Sequence, residues 1–389
     1  MVWECPESSA PCATEYEARA ETGQPAMKII SPFLKRVVYP SLSMAGIFRG
    51  TSAPGLAVVT YHGIKPPGYE TVDAAFDGNL VSADVMRQQL RFLKAKYTVI
   101  SPDDALAWIE GWRELPLRAV LLTCDDGLLN CLTDMLPVLG EEDLKCLFFV
   151  TGTSTTESRS TLWYEELFLL LVRAPAGAFE ISAEGIAIQS ALGSREERRA
   201  IWWNSVQRLS RVNEEKRGSF LRALRAHFGA EPLASTFEKS FVSCRRFGLL
   251  TGAETRELAA AGMTIGAHTL SHPMLSLMPP ELAYAEVSES RTRIESALQE
   301  RVWAFAYPFG DPQSVTPQVL AMPQQAGYKA AFLNFGGGLG TELLPFALPR
   351  VHVTDGMTEA ELDAHVSGFY ARLQRGLGRH TEIVERTRG

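Results

Sequence analysis

Short apolar runs rich in β-branched and aromatic residues recur along this 389-residue chain with amphipathic stretches between them, a rhythm that leaves few folds open. Leu56 to His62, LAVVTYH, reads as a first core strand that stops at Gly63 and a Pro-Pro-Gly break. A helix from Asp84 to about Lys96 follows, with Ser82 as its N-cap and Val85, Met86, Leu90 and Leu93 as its apolar stripe. Next come a short strand at Tyr97 to Ile100, a helix at Asp103 to Trp112, and a strand at Ala119 to Cys124. A helical stretch at Asn130 to Leu139 and a strand at Lys145 to Val150 close this half. Strands that alternate with helices run parallel and need crossovers, so the choice lies between a barrel and an open doubly wound sheet.

The rhythm breaks between Thr151 and Phe247. Leu162 to Val172 is an apolar helix, Phe179 to Gln189 alternates as a hairpin around Glu184-Gly185, and Arg195 to Phe228 reads as two charged amphipathic helices. No chemical constellation stands out here, and the block reads as an insertion that caps or walls one side of the core. The alternation returns with helix Ala253 to Ala261, strand Met263 to Ala267, a long helix from Pro280 to about Gln299, and strand Val302 to Tyr307. Ala321 to Gly327 closes another helix before a strand at Ala330 to Leu333. An extended segment at Leu343 to Val353 and a terminal helix at Glu359 to Leu377 finish the chain. About seven or eight strand-helix units suit a closed barrel built around a site.

Residues 1–26 are polar and acidic and read as a disordered extension without the basic start and apolar core of a secretory signal. Residues 27–50 place Ile30, Phe33, Leu34, Val37 and Val38 at helical spacing beside Lys28, Lys35 and Arg36, a pattern suited to peripheral contact with an anionic membrane. Pro32 and Pro40 shorten any helix there, so docking on the main domain is the competing expectation. The six cysteines include no C-x-x-C pair, which favours reduced thiols and the cytoplasm. A net charge of -7 argues against a nucleic-acid partner.

The chemistry gathers at strand ends. The run from Ala119 stops at two adjacent carboxylates and a glycine, Asp125-Asp126-Gly127, at the C-terminal mouth where α/β folds place their sites. Far downstream, the strand through Gly266 ends in His268-Thr269-Leu270-Ser271-His272-Pro273. Histidines four apart face the same way within one helical turn, and a carboxylate from elsewhere, Asp126, completes a three-ligand metal site. His62 ends a strand as well. Cys124 alternates away from Asp125 and is expected in the core, as are the Trp202-Trp203 and Trp108/Trp112 pairs.

Taken in order, these segments resemble the polysaccharide deacetylases, the nodulation-type carbohydrate esterases of family four. Thr123-Cys124-Asp125-Asp126-Gly127 is similar to that family's T-F-D-D-G motif, and His268 to Pro273 to its H-[ST]-x-x-H-P motif. Ala306-Tyr307-Pro308-Phe309-Gly310 matches its third motif only in part, and Thr60-Tyr61-His62-Gly63 resembles its first strand. The resemblance implies a distorted (β/α)7-8 barrel: a first part at 51–150, the mainly helical insertion at 151–247, and a second part with the C-terminal helix at 248–389. It also implies that Asp126, His268 and His272 hold a divalent metal, commonly zinc, and that Asp125 is the base. Phe309, through its backbone N–H, and Tyr307 would meet the oxyanion or substrate.

Two departures follow. The third-motif arginine is Ala306, so Arg350 is expected to orient the base from another strand; the closing Leu-x-His is met only by Val351-His352, which leaves His352 and His62 as rival acids. The function implied is metal-dependent removal of N-acetyl groups from amino sugars of a glycan or lipid-linked precursor, as in exopolysaccharide biosynthesis. An O-acetyl carbohydrate esterase and a non-catalytic carbohydrate-binding relative are the alternatives. Asp125 as a phosphoryl acceptor is disfavoured, since it leaves both histidines unexplained.

Overall fold

The computed structural model describes residues 34–49, 55–338 and 343–376. The chain divides after Gly50 into two units. The first holds a wide turn at Leu34–Val38 and helix α1 at Tyr39–Met44. The extension at 1–26 and the start of the 27–50 segment lie outside the described residues. Among the described residues, no helix is long and apolar enough to cross a membrane.

The second unit begins with β1 (Leu56–Tyr61), α2 (Ala83–Lys96), β2 (Thr98–Ile100), α3 (Pro102–Ile109), β3 (Ala119–Cys124), α4 (Leu136–Glu141) and β4 (Leu147–Val150). Ser82 caps α2 as expected, its hydroxyl accepting from the Val85 amide at 3.3 Å. The insertion follows as α5 (Trp163–Arg173), the antiparallel hairpin β5 (Gly177–Ala183) and β6 (Ile186–Leu192), α6 (Arg195–Leu209), α7 (Glu214–Phe228) and α8 (Phe241–Phe247). Glu184 and Gly185 both take positive φ, the geometry that joins a tight hairpin. The second half runs α9 (Gly252–Ala260), β7 (Thr264–Ala267), α10 (Pro280–Leu298), β8 (Ala304–Ala306), α11 (Pro317–Gln325), β9 (Ala330–Gly336), β10 (Leu348–His352), α12 (Glu359–Val366) and α13 (Phe369–Gly376). The terminal helix expected as one piece is two, broken at Gly368, whose φ is 73°.

The parallel strands β1, β10, β9, β8, β7, β4 and β3 follow one another, and β3 returns to β1, so the sheet closes into a seven-stranded barrel rather than an open sheet. Its distortion lies at β3. One edge pairs β1 throughout, from Leu56 opposite Ala119 to Tyr61 opposite Cys124. The other edge takes β2 at Ala119 to Leu121 and β4 only at Thr123 and Cys124.

Alternation along the strands sorts two cores. Leu56, Val58, Leu121, Phe149, Ala304, Phe332 and Leu348 fill the barrel interior. Val59, Tyr61, Leu122, Cys124 and Phe148 face outward into the helical layer. Gly266 on β7 shows how full the interior is: a Cβ there would sit 2.6 Å from the Phe149 ring.

Candidate active site

The inward register that packs the barrel also delivers its polar groups. Beyond Leu121 and Thr123 the next inward residue is Asp125, while Cys124 turns to the outer layer and rests 3.6 Å from the Cys131 sulfur. Regular alternation would then point Asp126 outward. Instead Asp126 adopts φ 75°, which swings its carboxylate back over the barrel mouth beside its neighbour. Both aspartates are buried.

The histidine pair departs from expectation. Residues 268–272 are not a helical turn but a loop in which Thr269 and His272 hold positive φ of 62° and 58°. Its anchors are side chains: the Ser271 amide donates to Glu286 Oε2 at 2.8 Å and the Ser271 hydroxyl to Oε1 at 2.5 Å. Arg217 of α7, buried, meets both Ser271 and Glu286. The His272 amide donates to the Thr269 hydroxyl at 3.0 Å, and Trp163 Nε1 donates to the His272 carbonyl at 3.1 Å.

Despite the different backbone, the imidazoles converge. One ligand atom each from Asp126, His268 and His272 lie within 4.8 Å of one another. Both Nε2 atoms approach Asp126 Oδ1, at 3.5 and 3.3 Å, yet this buried oxygen makes no hydrogen bond among the described residues. His268 Nδ1 lies 2.8 Å from the Ala306 carbonyl, which takes the ring proton and leaves Nε2 as a lone pair aimed at the gap. A buried, unbonded carboxylate oxygen facing two nitrogens is a set of donors suited to a divalent cation. Burial works against an ionised Asp126, but the two imidazoles outweigh it and hold the carboxyl well below its ordinary range.

Asp125 has a different partner. Arg350, fully buried on β10, grips it with two bonds, Nη1 to Oδ1 at 2.7 Å and Nη2 to Oδ2 at 2.5 Å, while its Nε donates to the Leu333 carbonyl at 2.6 Å. Burial alone would raise the Asp125 carboxyl; the guanidinium overcomes it and the net shift is downward. Asp125 is thus an ionised carboxylate that takes no part in the His268/His272 cluster.

His62 Nε2 stands 3.9 Å from Asp125 Oδ2, and its ring meets that of His352 edge-on with centroids 4.8 Å apart. Burial lowers the His62 imidazole, and it pushes His352, which also sits beside His62, down to about 3. A neutral His352 carries a pH signature. Unfolding restores its ordinary value of 6.5, so between about 3 and 6.5 the unfolded chain binds the extra proton and stability falls as pH falls. The expected slope from this group is at most about 1.4 kcal/mol per pH unit. In urea unfolding of metal-free protein at pH 4 and pH 7, His352→Asn should narrow the difference between the two; an unchanged difference would refute a buried neutral His352.

The third motif divides. Phe309 lines the cleft at φ 61°, with Gly310 beside it at φ 62° and so close to Asn334 that a Cβ would sit 2.6 Å from the Asn334 amide nitrogen. Tyr307, expected at the substrate, turns the other way. Its hydroxyl donates to the Phe346 carbonyl at 2.9 Å, and its ring lies in the outer core against Phe305. It follows Ala306, which faces inward, so alternation sends it out.

A cleft of about 380 Å³ opens over these groups, and its far wall is the insertion that the sequence left without chemistry. Tyr164, Glu165, Phe168, Arg199, Trp202 and Trp203 line it. Trp202 and Trp203, expected as core, are half-buried there.

Residues 237–331 match the family model described as polysaccharide deacetylase. Over that stretch, about a quarter of its length, the chain is similar to the polysaccharide deacetylases. YxkH of Bacillus subtilis (strain 168), a protein described as a polysaccharide deacetylase, is 24% identical over 120 residues, 31% of this chain and 42% of its own length. The chain therefore spans less than half of this curated relative. Among solved structures, the Streptococcus pyogenes deacetylase PplD in complex with acetate matches with a TM-score of 0.50 and 18% identity, over 81% of this chain and 99% of its own. IcaB from Ammonifex degensii matches with the same score and identity, over 80% and 97%. These two likenesses show that the chain shares the fold of those structures.

Proposed function

We propose that this chain is a deacetylase that hydrolyses N-acetyl groups of amino sugars in a glycan or lipid-linked glycan precursor, with a divalent metal, zinc by preference. The single observation that carries the reading is the division of labour between neighbouring carboxylates: Asp126 faces two histidine nitrogens while Asp125 is clamped by Arg350. Binding a sugar alone needs neither.

Asp126, His268 and His272 would hold the cation. When bound, such an ion acidifies water and polarises a carbonyl. Asp125, ionised at neutral pH and away from the ligand cluster, accepts the proton of the attacking water. Arg350 keeps that carboxylate charged and fixed in plane. The Phe309 N–H, in its left-handed turn at the cleft, donates to the oxygen on which charge develops. As the C–N bond breaks, the amine takes up the proton that Asp125 accepted from water, passed on through the His62–His352 pair, of which His62 Nε2 stands 3.9 Å from Asp125 Oδ2. Acetate and a free amino sugar result. The basic, apolar-spaced segment 27–50 supports work in the cytoplasm at an anionic membrane surface, where lipid-linked precursors lie.

The test is acetate release across N-acetylated chitooligosaccharides, acetylated glucosamine polymers and O-acetylated glycans, using metal-stripped and zinc-reloaded protein with metal content measured alongside. Release from the N-acetyl substrates should fall to background on stripping and return with about one zinc per chain. Preference for O-acetyl glycans would favour an esterase, and release indifferent to chelation would overturn the proposal.

A further inference from the structure

Glu165 lies in the first turn of α5, buried at 6% exposure on the cleft wall. One of its oxygens accepts from Arg246 Nη1 at 2.8 Å. The same arginine gives Nε and Nη2 to Asp77 Oδ1 at 3.1 and 2.9 Å, and Asp77 is further satisfied by the Tyr69 hydroxyl and the Val72 amide. One guanidinium thus serves two buried carboxylates. The second Glu165 oxygen, Oε2, is buried and has no hydrogen-bond partner among the described residues. Buried polar atoms without protein partners are costly, and one that lines a cleft is an acceptor open to a ligand or to water. Burial, only partly offset by Arg246, raises the Glu165 carboxyl to about 7, as expected of an acid with half its hydrogen bonds unmet.

Beside it runs an aromatic path. From His272 the ring centroids step 5.1 Å to Phe309, 5.7 Å on to Trp203 and 5.8 Å to Trp202. Trp202 is pinned by its indole N–H, which donates to the Tyr164 carbonyl at 2.8 Å, whereas Trp203 stands half-exposed on the cleft. An exposed ring beside an unmet acceptor is the pairing that recognises a pyranose, one apolar face with hydroxyls around its rim. A neutral ligand suits this wall, because each local cation already faces two carboxylates. Arg246 is held by Asp77 and Glu165, and Arg199 by Asp73 and Glu196.

We infer that the 151–247 insertion builds a subsite for a neutral pyranose adjoining the acetylated sugar, with Trp203 stacking on its ring and Glu165 Oε2 bonding one of its hydroxyls. The inference rests on the deacetylase reading and narrows its substrate to chains of two or more sugars.

Zinc-loaded protein should be assayed on N-acetylglucosamine oligomers of one to four units. Glu165→Gln keeps the shape and changes only the acceptor. It should raise KM for the longer oligomers about tenfold, leave kcat within about twofold, and leave the single sugar unaffected. Trp203→Ala, at a half-exposed position, should do the same and supplies the test should Glu165→Gln fail to fold. Equal effects on all lengths, or none, would overturn the subsite. No acetate from any length with the unaltered protein would instead overturn the deacetylase reading itself.

Discussion

His272→Ala is expected to lose stoichiometric zinc and to lower kcat/KM at least about a thousandfold, while the protein stays folded. The size follows from removing one of three ligands: roughly 4 kcal/mol of charge stabilisation at the reacting carbonyl corresponds to a thousandfold at 1.36 kcal/mol per factor of ten. The folded state should tolerate the change because His272 contributes little else. Among the described residues its Nδ1 has no hydrogen-bond partner, and the rings it meets are those of His268, Phe309 and Tyr164, edge-on or tilted. The backbone of the loop is held by Glu286, Thr269 and Trp163, none of which touches the imidazole nitrogens. His268→Ala is a less clean experiment, since it also strips the bond to the Ala306 carbonyl. Zinc content by elemental analysis, kcat/KM on an acetylated oligosaccharide and a thermal melt decide the matter. Full occupancy with undiminished rate in His272→Ala would mean that the metal sits elsewhere.

The barrel and the clustering of Asp126, His268 and His272 were legible because both rest on local signals. Alternation of apolar runs with amphipathic stretches gives parallel strands, and a strand's C-terminal end gives the mouth, so Asp125 and His62 could be set there from spacing, whereas Arg350 and His352 were reached only through the family resemblance. What spacing got wrong was backbone conformation. Left-handed φ at Asp126, Thr269, His272 and Phe309 carries no mark in the sequence, since residues other than glycine adopt it only when surrounding contacts compel them. Hence a loop was read as a helical turn, though the histidines still converge. Alternation could have placed Tyr307 outward, had Ala306 been recognised as facing in.

What the insertion brings to the cleft was hidden for another reason. Glu165 and Arg246 are far apart in the chain and look like ordinary helix-face charges; only the fold of α5 against α8 makes them a buried pair on the cleft. Arg217 is similar, a residue of a charged helix whose partner is the loop bearing His272. Non-local pairings of this kind leave no periodicity to read.

Arg350→Met should cost both the reaction and the fold, and in a way that separates the two. Methionine fills much of the same buried space, so the main loss is electrostatic: Asp125 keeps its burial and loses both guanidinium bonds. Breaking a buried pair from one side typically costs about 3–5 kcal/mol, which urea unfolding at pH 7 will register. The sign with pH follows from Asp125. With Arg350 present its folded pKa lies below the ordinary 3.8, so the pair stabilises at pH values above that and the benefit fades as acid protonates the carboxylate. Without Arg350, burial dominates and the folded pKa climbs past the ordinary value, so the variant is destabilised most at neutral pH and least in acid. The same shift moves the acid limb of the kcat/KM profile upward, because a protonated Asp125 cannot take a proton from water; a loss of about a hundredfold or more at pH 7 is expected. Arg350→Lys tests the other half of the argument. It restores a charge but not a planar fork, so it should recover more stability than rate. If Arg350→Met kept the parental pH profile, Asp125 would not be the group whose ionisation limits the reaction, and the assignment of the base would pass to another residue.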